Sequence, residues 1–84
     1  PHPRKPAPEG LRALIAETGA TEARTLLVGD SIVDYDTARN AGVACCLVTW
    51  GFGYSRMPVG TVVPEQTVVN DAPALASFIE QFFL

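Results

Sequence analysis

Basic charge and long apolar runs are both scarce in this sequence. Six Lys and Arg side chains stand against nine Asp and Glu, a net charge of -3, so the chain offers no basic surface to neutralise a nucleic-acid backbone. The longest apolar stretch, residues 43–48, has six residues, whereas a helix needs about 20 apolar residues to cross a bilayer. We therefore expect neither nucleic-acid binding nor a membrane span.

Cysteine is almost absent, and an apolar leader at the start of the chain is missing. The only cysteines, Cys45 and Cys46, are adjacent, so on a strand they point to opposite faces, which disfavours a disulfide between them. The opening residues 1–6 lack the apolar segment of a signal peptide. We expect two buried thiols and a cytoplasmic protein, and the start at Pro1 without Met indicates a trimmed chain or a fragment.

What the sequence does contain is the composition of a single globular domain, which we assign to residues 1–84. Hydrophobic residues make up 48% and charged residues 18%, values that exclude the disordered class. Apolar spacing predicts a first helix over 8–18, ended by Gly19, and the apolar run 25–28 predicts a strand buried on both faces. The later predicted elements are a helix over 32–41, a strand over 43–48 and, after a loop, a short strand over 67–69.

The last segment has the clearest helical period in the sequence. Its apolar side chains recur every three or four residues, at Leu75, Phe78, Ile79, Phe82 and Phe83. Asn70 or Asp71 can cap this helix, and Pro73 suits its first turn. The phenylalanines are expected in the core, unless truncation exposes them as an interaction surface. With the short strand over 67–69 set aside, the α-β-α-β-α order predicts an α/β fold, a Rossmann-like parallel sheet with flanking helices.

Two acidic residues follow the first predicted strand, where open parallel sheets bind ligands. Asp30 comes directly after the strand, and Asp34 lies one helical turn further, so both carboxylates can lean to one side. Such a pair needs a cation or a proton, and hard oxygen ligands suit Mg²⁺. The alternative is that both residues only cap the helix and favour its dipole.

Other polar and aromatic residues have simpler interpretations. Lys5 precedes the helix that leads into the Asp30 strand, and lysine is a good partner for a phosphate, although a solvated terminal lysine is the alternative. His2 is expected to be exposed and without a role. Arg39 is expected in a surface ion pair. The aromatics Trp50, Phe52 and Tyr54 are expected to pack against the sheet, and lining the mouth of a pocket is the alternative.

Five motifs, in order, resemble the haloacid dehalogenase (HAD) superfamily, and most closely its phosphoglycolate phosphatase-like branch. They cover nearly the whole chain: Lys5-Pro6-Ala7-Pro8, Gly19, the Gly29-Asp30-Ser31-x-x-Asp34 run after Leu27-Val28, Ala38-Arg39-Asn40-Ala41-Gly42, and Trp50-Gly51-Phe52-Gly53. The resemblance implies a Mg²⁺-dependent phosphate monoester hydrolase that acts on a small phosphorylated metabolite through an aspartyl-phosphate. It implies that Lys5 steadies the phosphoryl group and the nucleophile, that Asp30 ligates Mg²⁺, and that Asp34 helps to hold the metal or its waters.

The chain departs from that family in what it lacks. The Asp-x-Asp-x-Thr or Val nucleophile motif, the Ser or Thr phosphate-binding motif and the cap domain are missing, and residues 34–37 only imitate the nucleophile motif from inside a predicted helix. We therefore expect a C-terminal portion of the core domain that is inactive by itself. The Asp30 strand would lack its neighbour, and its open edge would be covered by the N-terminal half, a swapped copy in a homo-oligomer or a rearranged segment.

Three other functions compete with a phosphatase. A Gly-Asp-Ser esterase would use Ser31 as nucleophile, but it needs a downstream histidine, and the single histidine, His2, lies upstream. A receiver-like signalling domain places its acidic residues before the lysine, whereas Lys5 comes first here. A non-catalytic binding or interaction module derived from the same fold remains the alternative, because the nucleophile motif is missing.

Overall fold

Helices and strands alternate along the chain in a computed structural model that describes residues 3–84. The elements are α1 (Glu9–Thr18), β1 (Leu26–Gly29), α2 (Ile32–Ala41), β2 (Ala44–Val48), α3 (Phe52–Ser55), β3 (Val68–Val69) and α4 (Ala72–Phe82). Short 3₁₀ turns at Glu22–Arg24 and Glu65–Thr67 lead into β1 and β3. Across residues 3–84, none of these helices has both the length and the apolar character needed to cross a bilayer.

The three strands form one parallel sheet in the order β1-β2-β3. In the β1–β2 register Leu26 lies opposite Ala44, and in the β2–β3 register Leu47 lies opposite Val68. The predicted α/β fold with a parallel, Rossmann-like sheet is confirmed. Because β2 is central, β1 is an edge strand that pairs only with β2 within the described residues.

Local sequence signals fix the ends of the helices. The predicted bounds of α2 are the observed ones, since Ser31 caps its start by accepting a hydrogen bond from the Asp34 N–H. Gly42 ends α2, and Gly19 ends α1, each with a φ of 76° in the left-handed region where glycine is favoured. At α4, the Asp71 carboxylate accepts a hydrogen bond from the Ala74 N–H at 2.8 Å.

The core lies between α2 and β2. Ala38 of α2 packs against Cys45 and Leu47 of β2, and all three side chains are buried. Cys46 on the other face of β2 is also buried, and neither thiol forms a disulfide. Both thiol predictions are confirmed. Burial, with the nearby negative charge of Asp34, raises the pKa of Cys45 to about 12, so this thiol stays protonated and unreactive at neutral pH.

Two expectations about burial are wrong. Val28 of β1 is 41% exposed, although the run was predicted to be covered on both faces. β1 is an edge strand, and α4 packs mainly on β2 and β3, so it leaves Val28 uncovered. No residue of α4 is buried, and Phe83 is 44% exposed. Since α4 packs mainly on β2 and β3, Phe78 and Phe82 are only partly covered and line an open groove with Ala74, Ser77 and Gln81.

The short helix α3 was not predicted from the sequence, where the segment after β2 was assigned to a loop. Gly51 and Gly53 are breaker residues in sequence reasoning, and a four-residue helix is too short to show a helical period. In the structure Gly51 precedes α3 with extended dihedral angles. This helix brings backbone N–H groups to the end of β1.

Candidate functional site

The three residues singled out from the sequence lie at the carboxyl edge of the sheet. Asp30 follows β1 directly, Asp34 lies in the first turn of α2, and Lys5 reaches the same place from the segment before α1. The Lys5 Nζ donates to Asp34 Oδ1 at 2.6 Å. Asp30 joins them through its backbone, because its N–H donates to Asp34 Oδ2 at 3.0 Å.

Asp34 is the most constrained of the three side chains. It is only 7% exposed, and besides Lys5 and the Asp30 N–H, the Ser31 hydroxyl donates to its Oδ2 at 3.2 Å. Ser31 is thereby engaged in capping α2 and in orienting Asp34, an arrangement close to a capping box. The residue that caps α2 is therefore Ser31, and not Asp30 or Asp34. Asp34 instead bonds to Lys5 and to the backbone N–H of Asp30.

The pKa of Asp34 lies below its ordinary value of 3.8. Burial by itself raises this pKa, since it disfavours the charged form. The hydrogen bond and charge of Lys5, with the bonds from the Asp30 N–H and Ser31, lower it further than burial raises it. At neutral pH Asp34 is therefore a carboxylate, and the site contains a close Lys–Asp ion pair.

Asn40 holds the segment that carries Lys5, and sequence reasoning gave it no role. Its Nδ2 donates to the Pro6 carbonyl at 2.9 Å, while Arg12 of α1 donates to the Asn40 carbonyl at 2.8 Å. The C-terminal end of α2 thereby ties down the backbone next to Lys5. The only sequence signal was the position of Asn40 within the motif 38–42, which carries no information about a partner 34 residues away.

Asp30 is held from the loop after β2. Its Oδ2 accepts a hydrogen bond from the Gly53 N–H at 3.1 Å. A Cβ atom at Gly51 would overlap the Asp30 side chain, and one at Gly53 would lie 2.6 Å from Asp30 Oδ1. Within residues 3–84 the one hydrogen bond to the Asp30 carboxylate goes to Oδ2, so Oδ1 keeps lone pairs for a further ligand.

Glycine is also required directly before Asp30. A Cβ atom at Gly29 would lie 2.5 Å from the Cβ and Cγ atoms of the buried Asp34. Because the backbone of α2 fixes the Asp34 Cβ, rotation of the side chain cannot relieve this overlap, and α2 would have to move away from β1. The Gly-Asp sequence is thus a steric requirement for the contact between the strand end and the helix start.

The donor set fits a hard cation such as Mg²⁺ in part. Asp30 and Asp34 are two carboxylates at one sheet edge, and Mg²⁺ is usually held by one or two carboxylates together with waters and substrate oxygens. Among residues 3–84 there is no group of three or more metal-ligating side chains. Further ligands would therefore come from water, substrate or another polypeptide.

Other residues considered from the sequence lie apart from this site. Asp36 forms a surface ion pair with Arg39 at 3.8 Å, as expected for Arg39, and Thr37 donates to the Val33 carbonyl within α2 at 2.7 Å. Residues 34–37 are thus helical, as predicted for a segment that only imitates a nucleophile motif. His2 lies outside the described residues.

The loop aromatics are not packed as expected. Trp50 is 52% exposed and Phe52 is 71% exposed, because α3 turns its first side chain outward while its backbone faces Asp30. The Arg56 guanidinium lies 4.3 Å from the centre of the Phe52 ring, a cation–π contact that partly covers this side chain. The predicted packing of Trp50 and Phe52 against the sheet is wrong.

Comparison with known proteins places this site in a family. A family model described as HAD-hydrolase-like matches residues 2–74. A phosphoglycolate phosphatase of Rhodospirillum rubrum is 46% identical over 59 residues, which are 70% of this chain and 24% of that protein. Phosphoglycolate phosphatases of Agrobacterium fabrum and Pseudomonas putida are 39% and 36% identical over 72 residues, which are 86% of this chain and 30% and 26% of those proteins.

The chain spans between about a quarter and a third of the length of these curated relatives. No solved structure matches it significantly. The matched region contains the Gly-Asp strand end, the Asp34 helix and the glycine loop, which are the elements that form the site. The chain belongs to the HAD superfamily of hydrolases, in its phosphoglycolate phosphatase-like branch.

Proposed function

We propose that these residues form the C-terminal, metal-binding part of the core domain of a Mg²⁺-dependent phosphate monoester hydrolase, with phosphoglycolate as the first substrate to test. One observation carries the proposal: Lys5, Asp34 and Asp30 meet at the carboxyl edge of a parallel sheet. The family assignment and the names of the relatives support the phosphatase chemistry. The cytoplasmic location stays a prediction.

Each of the three side chains has a separate proposed role. Asp30 would ligate Mg²⁺ through its less engaged Oδ1, and Asp34 would help to hold the metal or its waters while it orients Lys5. Lys5 would steady the phosphoryl group and the nucleophile, since its Nζ has two further N–H donors beyond the one given to Asp34. When bound, Mg²⁺ supplies charge neutralisation for the transferring phosphoryl group.

The nucleophile of such a reaction would come from outside these 84 residues. No Asp-x-Asp motif follows a strand in this sequence, so we expect the chain alone to bind metal without turnover. The same missing motif supports the second candidate, a non-catalytic binding or interaction module. The two candidates differ in whether activity is restored by a polypeptide that supplies the nucleophile.

Magnesium binding tests the proposal directly on this chain. A concentration of Mg²⁺ about ten times its Kd should stabilise the folded chain by about 1.4 kcal/mol, which raises the Tm of a domain of this size by about 5–10 °C. Asp30→Asn should remove this shift. Asp36→Asn, which removes a carboxylate on the outer side of α2, is the matched control and should keep it.

An equal Tm shift in the wild type and in Asp30→Asn would contradict the assignment of Asp30 as ligand. Loss of the Mg²⁺-induced Tm shift in both Asp30→Asn and Asp36→Asn would mean that Mg²⁺ is attracted by the net negative charge of the chain and not bound at one site.

The open edge of β1 leads to a prediction about association. Unpaired strand edges pair with other chains, so we expect the isolated chain to self-associate through β1 and to have a sedimentation mass above 8.9 kDa. A lysine at the exposed Val28 should return it to a monomer, since lysine on an edge strand opposes pairing. The matched control is Val62→Lys, at a site that is 85% exposed and away from β1.

A wild-type chain that stays monomeric across a dilution series would contradict this prediction, because it would show that the unpaired edge of β1 is stable in water. If the chain instead pairs with a polypeptide that carries the N-terminal half of a relative, that polypeptide should compete with self-association.

A further inference from the structure

The loop after β2 lies beside Asp30 because of the register of the sheet. Gly29 is the last residue of β1 and lies opposite Leu47 of β2, so Asp30 leaves the sheet at the level where β2 ends at Val48. The chain then turns through Gly51 into α3. Both strands are parallel, and their following segments therefore leave at the same edge.

Gly53 donates its backbone N–H to the Asp30 carboxylate. The N···Oδ2 distance is 3.1 Å. Gly53 is the second residue of α3, and an N–H group in the first turn of a helix has no partner within the helix. The donor is thus available for a side chain, and a bond from an N–H to a carboxylate is stronger than one between neutral groups.

The missing side chain of Gly53 matters as much as its N–H. A Cβ atom there would lie 2.6 Å from Asp30 Oδ1 and 3.1 Å from both Asp30 Cγ and Ser31 Cβ, so its closest contact is the carboxylate oxygen. The glycines with positive φ are Gly19, Gly42 and Gly60, so the backbone of Gly53 is open to any L-residue. In a helix alanine is favoured over glycine by about 1 kcal/mol. Glycine is therefore needed here for space beside the carboxylate.

We propose that Gly53 is a positioning residue for Asp30, whose orientation is set by the Gly53 N–H on Oδ2 and by the empty space that Gly53 leaves for Oδ1. This inference rests on the proposed role of Asp30 as a Mg²⁺ ligand. The outer partners of metal ligands commonly change metal affinity when they are altered. Here the partner is a backbone group of α3, so the loop after β2 controls a ligand at the end of β1.

Amide hydrogen exchange tests the contact without metal. The Gly53 N–H should be protected in the wild type and should exchange at least about tenfold faster in Asp30→Ala, because its only acceptor is removed. The Arg56 N–H, which bonds to the Gly53 carbonyl at 3.2 Å, is an internal reference for the folding of α3. Its rate should not change. Equal Gly53 exchange rates in both proteins would overturn the proposal.

The effect of Gly53→Ala on Mg²⁺ affinity tests whether the space that Gly53 leaves beside Asp30 Oδ1 is needed. Gly53→Ala should weaken Mg²⁺ binding by about 10–100-fold. The metal-free Tm should fall only slightly, because the Asp30 carboxylate can rotate away and only the Ser31 Cβ, 3.1 Å from the added Cβ, has to shift. Ser55→Ala, on the exposed side of α3, is the control and should bind as the wild type does. The measurement is a calorimetric or heat-shift titration with MgCl₂.

The outcomes separate this inference from the proposed function. Mg²⁺ affinity that is unchanged in Gly53→Ala but lost in Asp30→Asn would overturn the role of Gly53 and leave the metal assignment intact. Absence of binding in the wild type would overturn the metal assignment, and with it the role of Gly53 in metal binding. A weaker affinity in Gly53→Ala with slow, Asp30-dependent exchange of the Gly53 N–H supports both.

Discussion

Replacing Asp30 by asparagine should lower the rate of phosphoglycolate hydrolysis by about 10³-fold once the chain is completed by a polypeptide that supplies the nucleophile. The substitution keeps the size of the side chain and the acceptor for the Gly53 N–H. It removes the negative charge that would hold Mg²⁺ against the phosphoryl group. A loss of this size corresponds to the several kcal/mol that a bound metal contributes to phosphoryl transfer.

The measurement uses two separately expressed pieces. One is this chain, and the other is the portion of the Rhodospirillum rubrum phosphoglycolate phosphatase outside the region that matches it. Phosphate release from phosphoglycolate is followed for each piece alone, for the mixture, and for mixtures with Asp30→Asn or the control Asp36→Asn. We expect turnover only in the mixtures with the wild-type chain and with Asp36→Asn.

Three results would change the interpretation. Hydrolysis by this chain alone would show that the nucleophile lies within it. Equal rates for the wild type and Asp30→Asn would remove Asp30 from the active site. Stable association of the two pieces without any turnover would favour the non-catalytic module.

Asp34→Asn should lower the free energy of unfolding by about 2–3 kcal/mol at pH 7. Removing one partner of a buried ion pair costs about 3–5 kcal/mol. The cost is expected to be smaller here, because the Lys5 side chain is 57% exposed and water can solvate its ammonium group. Asparagine also retains one oxygen to accept from the Asp30 N–H. The midpoint of urea unfolding measures the change, and the surface substitution Asp36→Asn should cost less than about 0.5 kcal/mol.

Lys5→Met supplies the second arm of a mutant cycle with Asp34→Asn. If the two groups stabilise each other, the double variant should be less destabilised than the sum of the single variants. Strict additivity would mean that the 2.6 Å contact contributes nothing to stability, and that Asp34 acts only through its bonds to Asp30 and Ser31.

The same carboxylate makes stability depend on pH. The folded-state pKa of Asp34 is below 3.8, the ordinary value expected when unfolded, so the unfolded chain binds more protons as the pH falls. The contribution of Asp34 is therefore fully present above about pH 5 and is lost as the pH falls through 3.8 and then through the lower folded-state pKa. In Asp34→Asn, urea midpoints between pH 5 and pH 2 should fall less steeply than in the wild type.

Elements with local signals were predicted well. The bounds of α2 follow from the Ser31 cap and from Gly42, each of which acts within a few residues. Asp71 and Pro73 fix the start of α4 in the same way. The parallel sheet followed from the alternation of helices and strands, because two parallel strands require a crossover. The placement of Asp30 and Asp34 at one edge of the sheet was likewise a consequence of their position after β1.

Contacts between distant segments were not predictable from these signals. The bond from Asn40 to the Pro6 carbonyl joins residues 34 positions apart, and the bond from Gly53 to Asp30 joins residues 23 positions apart. In both hydrogen bonds one partner is a backbone group, and because nearly every residue has such a group, the residue types do not indicate the contact. The exposure of Phe52 and of the α4 phenylalanines depends on which layers cover each face, and helical period alone does not reveal this.

The sequence by itself determined the family, the parallel α/β fold and the identity of the three charged residues, because motifs, caps and apolar periods act over short spans. Only the tertiary structure decided how those residues are held. It paired Lys5 with Asp34, left Asp30 Oδ1 the less engaged oxygen, and placed the N–H of Gly53 and the space beside it against that carboxylate. Such arrangements arise from the register of β1 against β2 and from the docking of α2, which are properties of the packed chain.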